Sequence, residues 1–111
     1  MGAGERGQPM ALDERRLGVL RLEDVLQALS DPVRLGIVVQ LDRQGESSCA
    51  ALDGGRPKST MSHHFRVLRE AGLVRTRVHG VTHMNMLCRD SLDAAFPGLL
   101  GVVLAAAAKK A

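Results

Sequence analysis

Residues 57–74 constrain this chain more than any other stretch. Met61, Phe65 and Leu68 recur at i, i+4 and i+7, the repeat of one helical face. Pro57 suits the start of a helix, and Gly72 follows its last periodic turn as a stop. Lys58, Ser59, Ser62, His63, Arg66 and Arg69 lie off the apolar stripe and face outward. Hydroxyl, imidazole and guanidinium groups hydrogen-bond phosphates and base edges and have little use in a core. The spacing therefore predicts a helix that lies in a DNA groove.

After Gly72 the period changes to two. Leu73, Arg75, Arg77 and His79 alternate with Val74, Thr76 and Val78. Thr82, Met84, Met86 and Cys88 alternate with His83, Asn85 and Leu87. Two such runs around His79-Gly80-Val81 predict a hairpin turning at glycine.

The preceding residues read as helices. Leu22, Val25, Leu26 and Leu29 keep helical spacing over about 21–29. Asp31 suits an N-cap and Pro32 the first helical position, so a second helix should run from about 32 to 44 on Leu35, Ile37, Val38 and Leu41. Gly36 inside it costs about 1 kcal/mol relative to alanine, which points to close helix approach. Ser47–Leu52 predicts a short serine-capped helix, and residues 53–57 the turn before the groove helix. Pro97 is expected to open the final helix, whose apolar stripe is Leu99, Leu100, Val103 and Leu104. The fold class is mainly α with a small β-hairpin.

Charge agrees with a nucleic-acid partner. Residues 56–79 carry six basic side chains against Glu70 alone, whereas residues 1–55 carry six basic and nine acidic. Positive charge gathered on one helix and one hairpin is an electrostatic footprint for DNA, although a solvated basic face has the same composition. Lys58, Arg66, Arg75 and Arg77 suit phosphates. Ser59, Thr60, Ser62 and His63 sit near the helix N-terminus, the part that reaches base edges.

With 111 residues, one domain is expected, over residues 12–111, after a Gly-rich tail at 1–11. Residues 12–20 form a candidate helix for packing on a second subunit. Aromatics make up only 2% of the chain, so aliphatic side chains and Met61, Met84 and Met86 should fill the core. No run of about 18 apolar residues is present and the start lacks an apolar signal segment, so a cytoplasmic location with no membrane partner is the simplest reading. No nucleophile–base pair or phosphate loop has the spacing an enzyme needs. Cys49 and Cys88 do not make a disulfide framework. His79 and His83 flank the turn, where imidazoles facing each other would suit nickel, zinc or copper; the alternative is that both are polar residues at the hairpin tip, some of them touching DNA.

Ser62-His63-His64-Phe65, then Leu68, then Ala71-Gly72-Leu73-Val74, resembles the recognition helix of ArsR/SmtB winged-helix repressors. Ala28-Leu29-Ser30-Asp31-Pro32-Val33-Arg34-Leu35 is a second match, in the family's order and at about its separation. With the hairpin as wing, the likeness covers roughly residues 20–100. It implies a homodimer formed through the first and last helices, and a repressor, effector- or metal-responsive, on a pseudo-palindromic operator. His64 matches the histidine of the family's helix; it either contacts phosphate or packs beneath the helix. The family's paired cysteines and its Asp and His pairs on the last helix are absent. Nickel or zinc as effector then rests on His79 and His83. The basic residue usual after the wing's turn glycine is replaced by Val81, which leaves Arg77 and His79 as the wing's best DNA contacts. A winged-helix interaction module, or an activator working with a second regulatory protein, is the alternative function.

Overall fold

The computed structural model describes residues 20–110. The expectations for the tail at 1–11 and the helix at 12–20 lie almost wholly outside them. Six helices and three strands follow in chain order: α1 (Leu22–Leu29), α2 (Pro32–Gln44), β1 (Ser47–Ser48), α3 (Cys49–Leu52), α4 (Lys58–Glu70), β2 (Val74–His79), β3 (Thr82–Leu87), α5 (Arg89–Ala95) and α6 (Leu99–Lys110).

The boundaries form for the reasons their residues suggest. The Asp31 carboxylate accepts from the Val33 and Arg34 amides at 2.9 and 3.1 Å, capping α2 with Pro32 as its first residue. Gly72 stands at φ +84°, the left-handed conformation that closes α4. There Leu73 N–H reaches the Leu68 carbonyl and Gly72 N–H the Arg69 carbonyl, both at 3.0 Å. A Cβ at Gly72 would also run into the Leu20 side chain. Gly80, at φ +67°, takes the first central position of the two-residue hairpin turn, where glycine fits a type II′ geometry.

Val25 and Ala28 of α1, Ile37, Val38 and Leu41 of α2, and Met61, Phe65 and Leu68 of α4 meet in one core with Leu73, Val74, Leu92 and Leu100. The stripe read from the sequence in α4 is the buried one. Met84 is half-buried and Met86 is exposed, so of the three methionines expected to fill the core only Met61 is fully enclosed.

Three features depart from the sequence reading. Ser47–Ser48 is not helical: it pairs antiparallel with Asn85 and Met84, turning the hairpin into a three-stranded sheet of order β1-β3-β2. Ser48 still caps the short helix, accepting from the Ala51 amide at 3.1 Å. The final helix starts at Leu99, not Pro97, because Gly98 at φ +85° lies between, and α5 and α6 meet at a 115° bend. Among the described residues, a Cβ added at Gly36 would meet nothing within 4 Å, so no close helix approach accounts for this glycine; it lines an open groove of about 460 Å³ with Leu35, Val39 and Ala107. Among the described residues, no single helix is long and apolar enough to cross a membrane.

Asn85 explains how the two-residue strand holds. It is fully buried, yet every polar group of its amide is used. Its oxygen accepts from the Thr76 hydroxyl at 2.7 Å, and its nitrogen donates to the Ser47 carbonyl and the Cys49 sulfur, both at 3.3 Å. One satisfied amide thereby joins three strands without the cost of an unpaired buried polar group.

Candidate nucleic-acid interface

Burying Met61, Phe65 and Leu68 turns the other side of α4 to solvent. Lys58, Ser59, Thr60, Ser62, His63 and Arg66 are all exposed on it. Together they present hydroxyls, imidazole and two cations along the first three turns of one helix. Among the described residues, no carboxylate lies within ion-pair distance of Lys58, Arg66, Arg69 or Arg75. Their charges are therefore available to a polyanion.

The wing stands beside the N-terminal half of α4. A crevice of about 560 Å³ separates them, lined by Ser48, Cys49, Lys58, Ser62, Val81 and His83, among others. Val81 projects fully exposed from the turn, and Val78 is exposed behind it. The hairpin tip thus presents exposed valine beside the exposed polar residues His79, Thr82 and His83.

Two expected contacts sit differently. The Arg77 guanidinium, midway along β2, binds Glu46 twice, at 2.6 and 3.1 Å, reaching across β3 to the residue before β1. The hydrogen bond from Arg77 holds the Glu46 carboxyl below the usual glutamate value, and Glu46 raises Arg77 in return. Arg77 is therefore already paired with a carboxylate in the folded chain. A depressed carboxyl adds stability above its unfolded pKa and loses it as pH falls through the folded one, so this pair loosens in acid. Replacing Glu46 by alanine is expected to free Arg77 and steepen the salt dependence of DNA binding by about 0.9 in log–log slope, one phosphate contact's worth. Titrating affinity against salt for Glu46→Ala and the parent checks this; an unchanged slope would show that Arg77 lies away from the DNA.

His64 is the second. Its side chain is only 12% exposed, with Nδ1 3.3 Å from Arg34 Nη1 and 3.9 Å from Asp31 Oδ2. Its ring lies against Arg34 and Asp31, the placement expected of a histidine that packs beneath the helix. The Arg34 amide, then the Arg34 charge, hold the Asp31 carboxyl below the usual aspartate value.

His79 and His83 do not face each other. The register sets His79 against Thr82 and His83 against Val78, which puts the two rings on opposite faces of the ribbon. Among the described residues, no three His, Cys, Asp or Glu side chains converge as a metal site. Cys49 and Cys88 are free thiols, and burial pushes the Cys88 thiol up. Sequence reasoning missed Glu46 and Asn85. An acidic residue before a serine pair carries no signal, and their partners lie 31 and 38 residues away.

A helix-turn-helix domain model matches residues 29–77, from the end of α1 into β2. The HTH-type transcriptional regulator YceK of Bacillus subtilis is 39% identical over 79 residues, covering 68% of this chain and 79% of that protein. The arsenical resistance operon repressor of Staphylococcus xylosus is 37% identical, with 65% and 70% covered. The chain belongs to the ArsR/SmtB family of winged helix-turn-helix DNA-binding repressors. The solved structure of the transcriptional repressor BigR from Xylella fastidiosa agrees, with a TM-score of 0.57 at 30% identity over 80% of this chain and 97% of that one. An ArsR family regulator, RHA00566, shares the fold at a TM-score of 0.62 and 23% identity, with 72% and 89% covered. In this family member α4 is the recognition helix and the β2–β3 hairpin the wing.

Proposed function

We propose that the chain is an operator-specific repressor that binds a pseudo-palindromic site as a homodimer in the cytoplasm and acts by binding, not by catalysis. The carrying observation is the outward face of α4, where Lys58, Ser62 and Arg66 stand exposed with no acidic partner among the described residues. Ser59, Thr60, Ser62 and His63 supply base contacts; Lys58, Arg66 and Arg75 hold phosphates. Exposed Leu22 and Leu26 on α1 and Val102 on α6, with the open groove between α2 and α6, support a second copy as the partner. Two copies present recognition helices about 34 Å apart, one turn of duplex. A second regulatory protein forms no part of this reading.

A mobility shift against the DNA upstream of the chain's own gene tests it, with Ser62→Ala and Arg66→Ala beside the parent. Binding by the parent and weakened binding by both variants supports the proposal. Binding that neither substitution changes defeats it, and a monomer by light scattering removes the dimer. The effector is proposed to act by changing this affinity. Calorimetric titration with nickel and zinc, followed by DNA binding with and without metal, tests the metal-responsive form; unchanged affinity eliminates those two ions.

A further inference from the structure

We infer that His64 serves DNA binding through Arg34, as a positioning residue that sets the recognition helix against α1, and not as a phosphate contact. The inference rests on the DNA-binding role of α4 argued above. Arg34 has only donors. Its Nε donates to the Ala28 carbonyl at 2.8 Å and its Nη2 to the Gln27 carbonyl at 3.4 Å. Those carbonyls belong to the last turn of α1, where helix geometry leaves carbonyls for outside donors; Gln27 also accepts from the Ser30 amide and hydroxyl. The remaining arm, Nη1, reaches His64 Nδ1 at 3.3 Å.

One guanidinium thus ties the end of α1 to the middle of α4, while its own backbone sits in the first turn of α2. Because Arg34 cannot accept, His64 Nδ1 must, and the ring proton belongs on Nε2. Asp31 keeps the guanidinium's base in place by capping the turn that carries Arg34. Neighbouring His63, by contrast, is exposed on the groove face. The two adjacent histidines divide the work: His63 looks out at DNA and His64 looks back at the scaffold.

This matters because a recognition helix reads bases only at one angle. A fork reaching three elements fixes that angle in a way apolar packing, which tolerates sliding, does not.

Two side chains separate the roles. Asparagine places its oxygen near the position of Nδ1, whereas glutamine places its amide near Nε2. His64→Asn is expected to keep operator affinity close to the parent's. His64→Gln and Arg34→Lys are each expected to lose about tenfold, the factor equivalent to about 1.4 kcal/mol. Their thermal midpoints, measured alongside, separate loss of affinity from loss of fold. The opposite order, with Gln retaining and Asn losing affinity, overturns the inference in favour of direct phosphate contact; equal loss in both also overturns it. A nitrogen-15 spectrum of the DNA-free protein supplies a readout that stands even if the protein binds no DNA. Nδ1 unprotonated and Nε2 protonated is the expected pattern, and a proton on Nδ1 contradicts it.

Discussion

Replacing Phe65 by alanine is expected to destabilise the protein by about 3–5 kcal/mol, the cost of emptying an aromatic site in a packed core. Phe65 is 3% exposed and sits between Met61 and Leu68 on the buried stripe of α4. It is one of only two aromatic residues in the chain; the other, Phe96, is partly buried against the same core. Small domains hold about 5–15 kcal/mol in all. The variant should therefore melt far below the parent, and the recognition helix should lose its seat although its outward-facing residues are unchanged. Urea titration followed by circular dichroism measures this. A shift under about 1 kcal/mol would mean that the α4 core is looser than its close packing implies.

The second large effect is on DNA. Lys58 and Arg66 are the two cations on the exposed face of α4 within its first three turns. Each phosphate they neutralise contributes about 0.9 to the log–log salt slope, so removing both should flatten it by about 1.8. The same relation makes the double variant roughly 60-fold weaker at 0.1 M salt while costing little at 1 M. Exposed substitutions of this kind leave stability nearly unchanged. A large loss of affinity with the slope intact would place these side chains away from the phosphates.

The sequence showed most of what these predictions use. Asp31-Pro32, Gly72 and the change from helical to twofold period mark α2, the end of α4 and the wing, because each rests on local backbone chemistry. What it could not show depends on partners distant in the chain. Ser47–Ser48 is a strand only because Asn85 pairs with it; its own two side chains carry no alternation. Arg77 reads as a free cation until Glu46 is folded against it. His64 belongs to a run of polar residues, and only the crossing of α2 beneath α4 reveals that it faces Arg34. Position on a helix face was legible; identity of the neighbour was not.

The central claim is that one face of α4, with its apolar side locked into the aliphatic body, is what meets the duplex. Backbone amide spectra recorded while operator DNA is added measure that contact residue by residue. The largest shifts are expected on Lys58–Arg66 and the wing, while the Leu35–Arg43 side of α2 stays still. Shifts gathered on α2 and α6, with Ser62 and Arg66 unmoved, would contradict it.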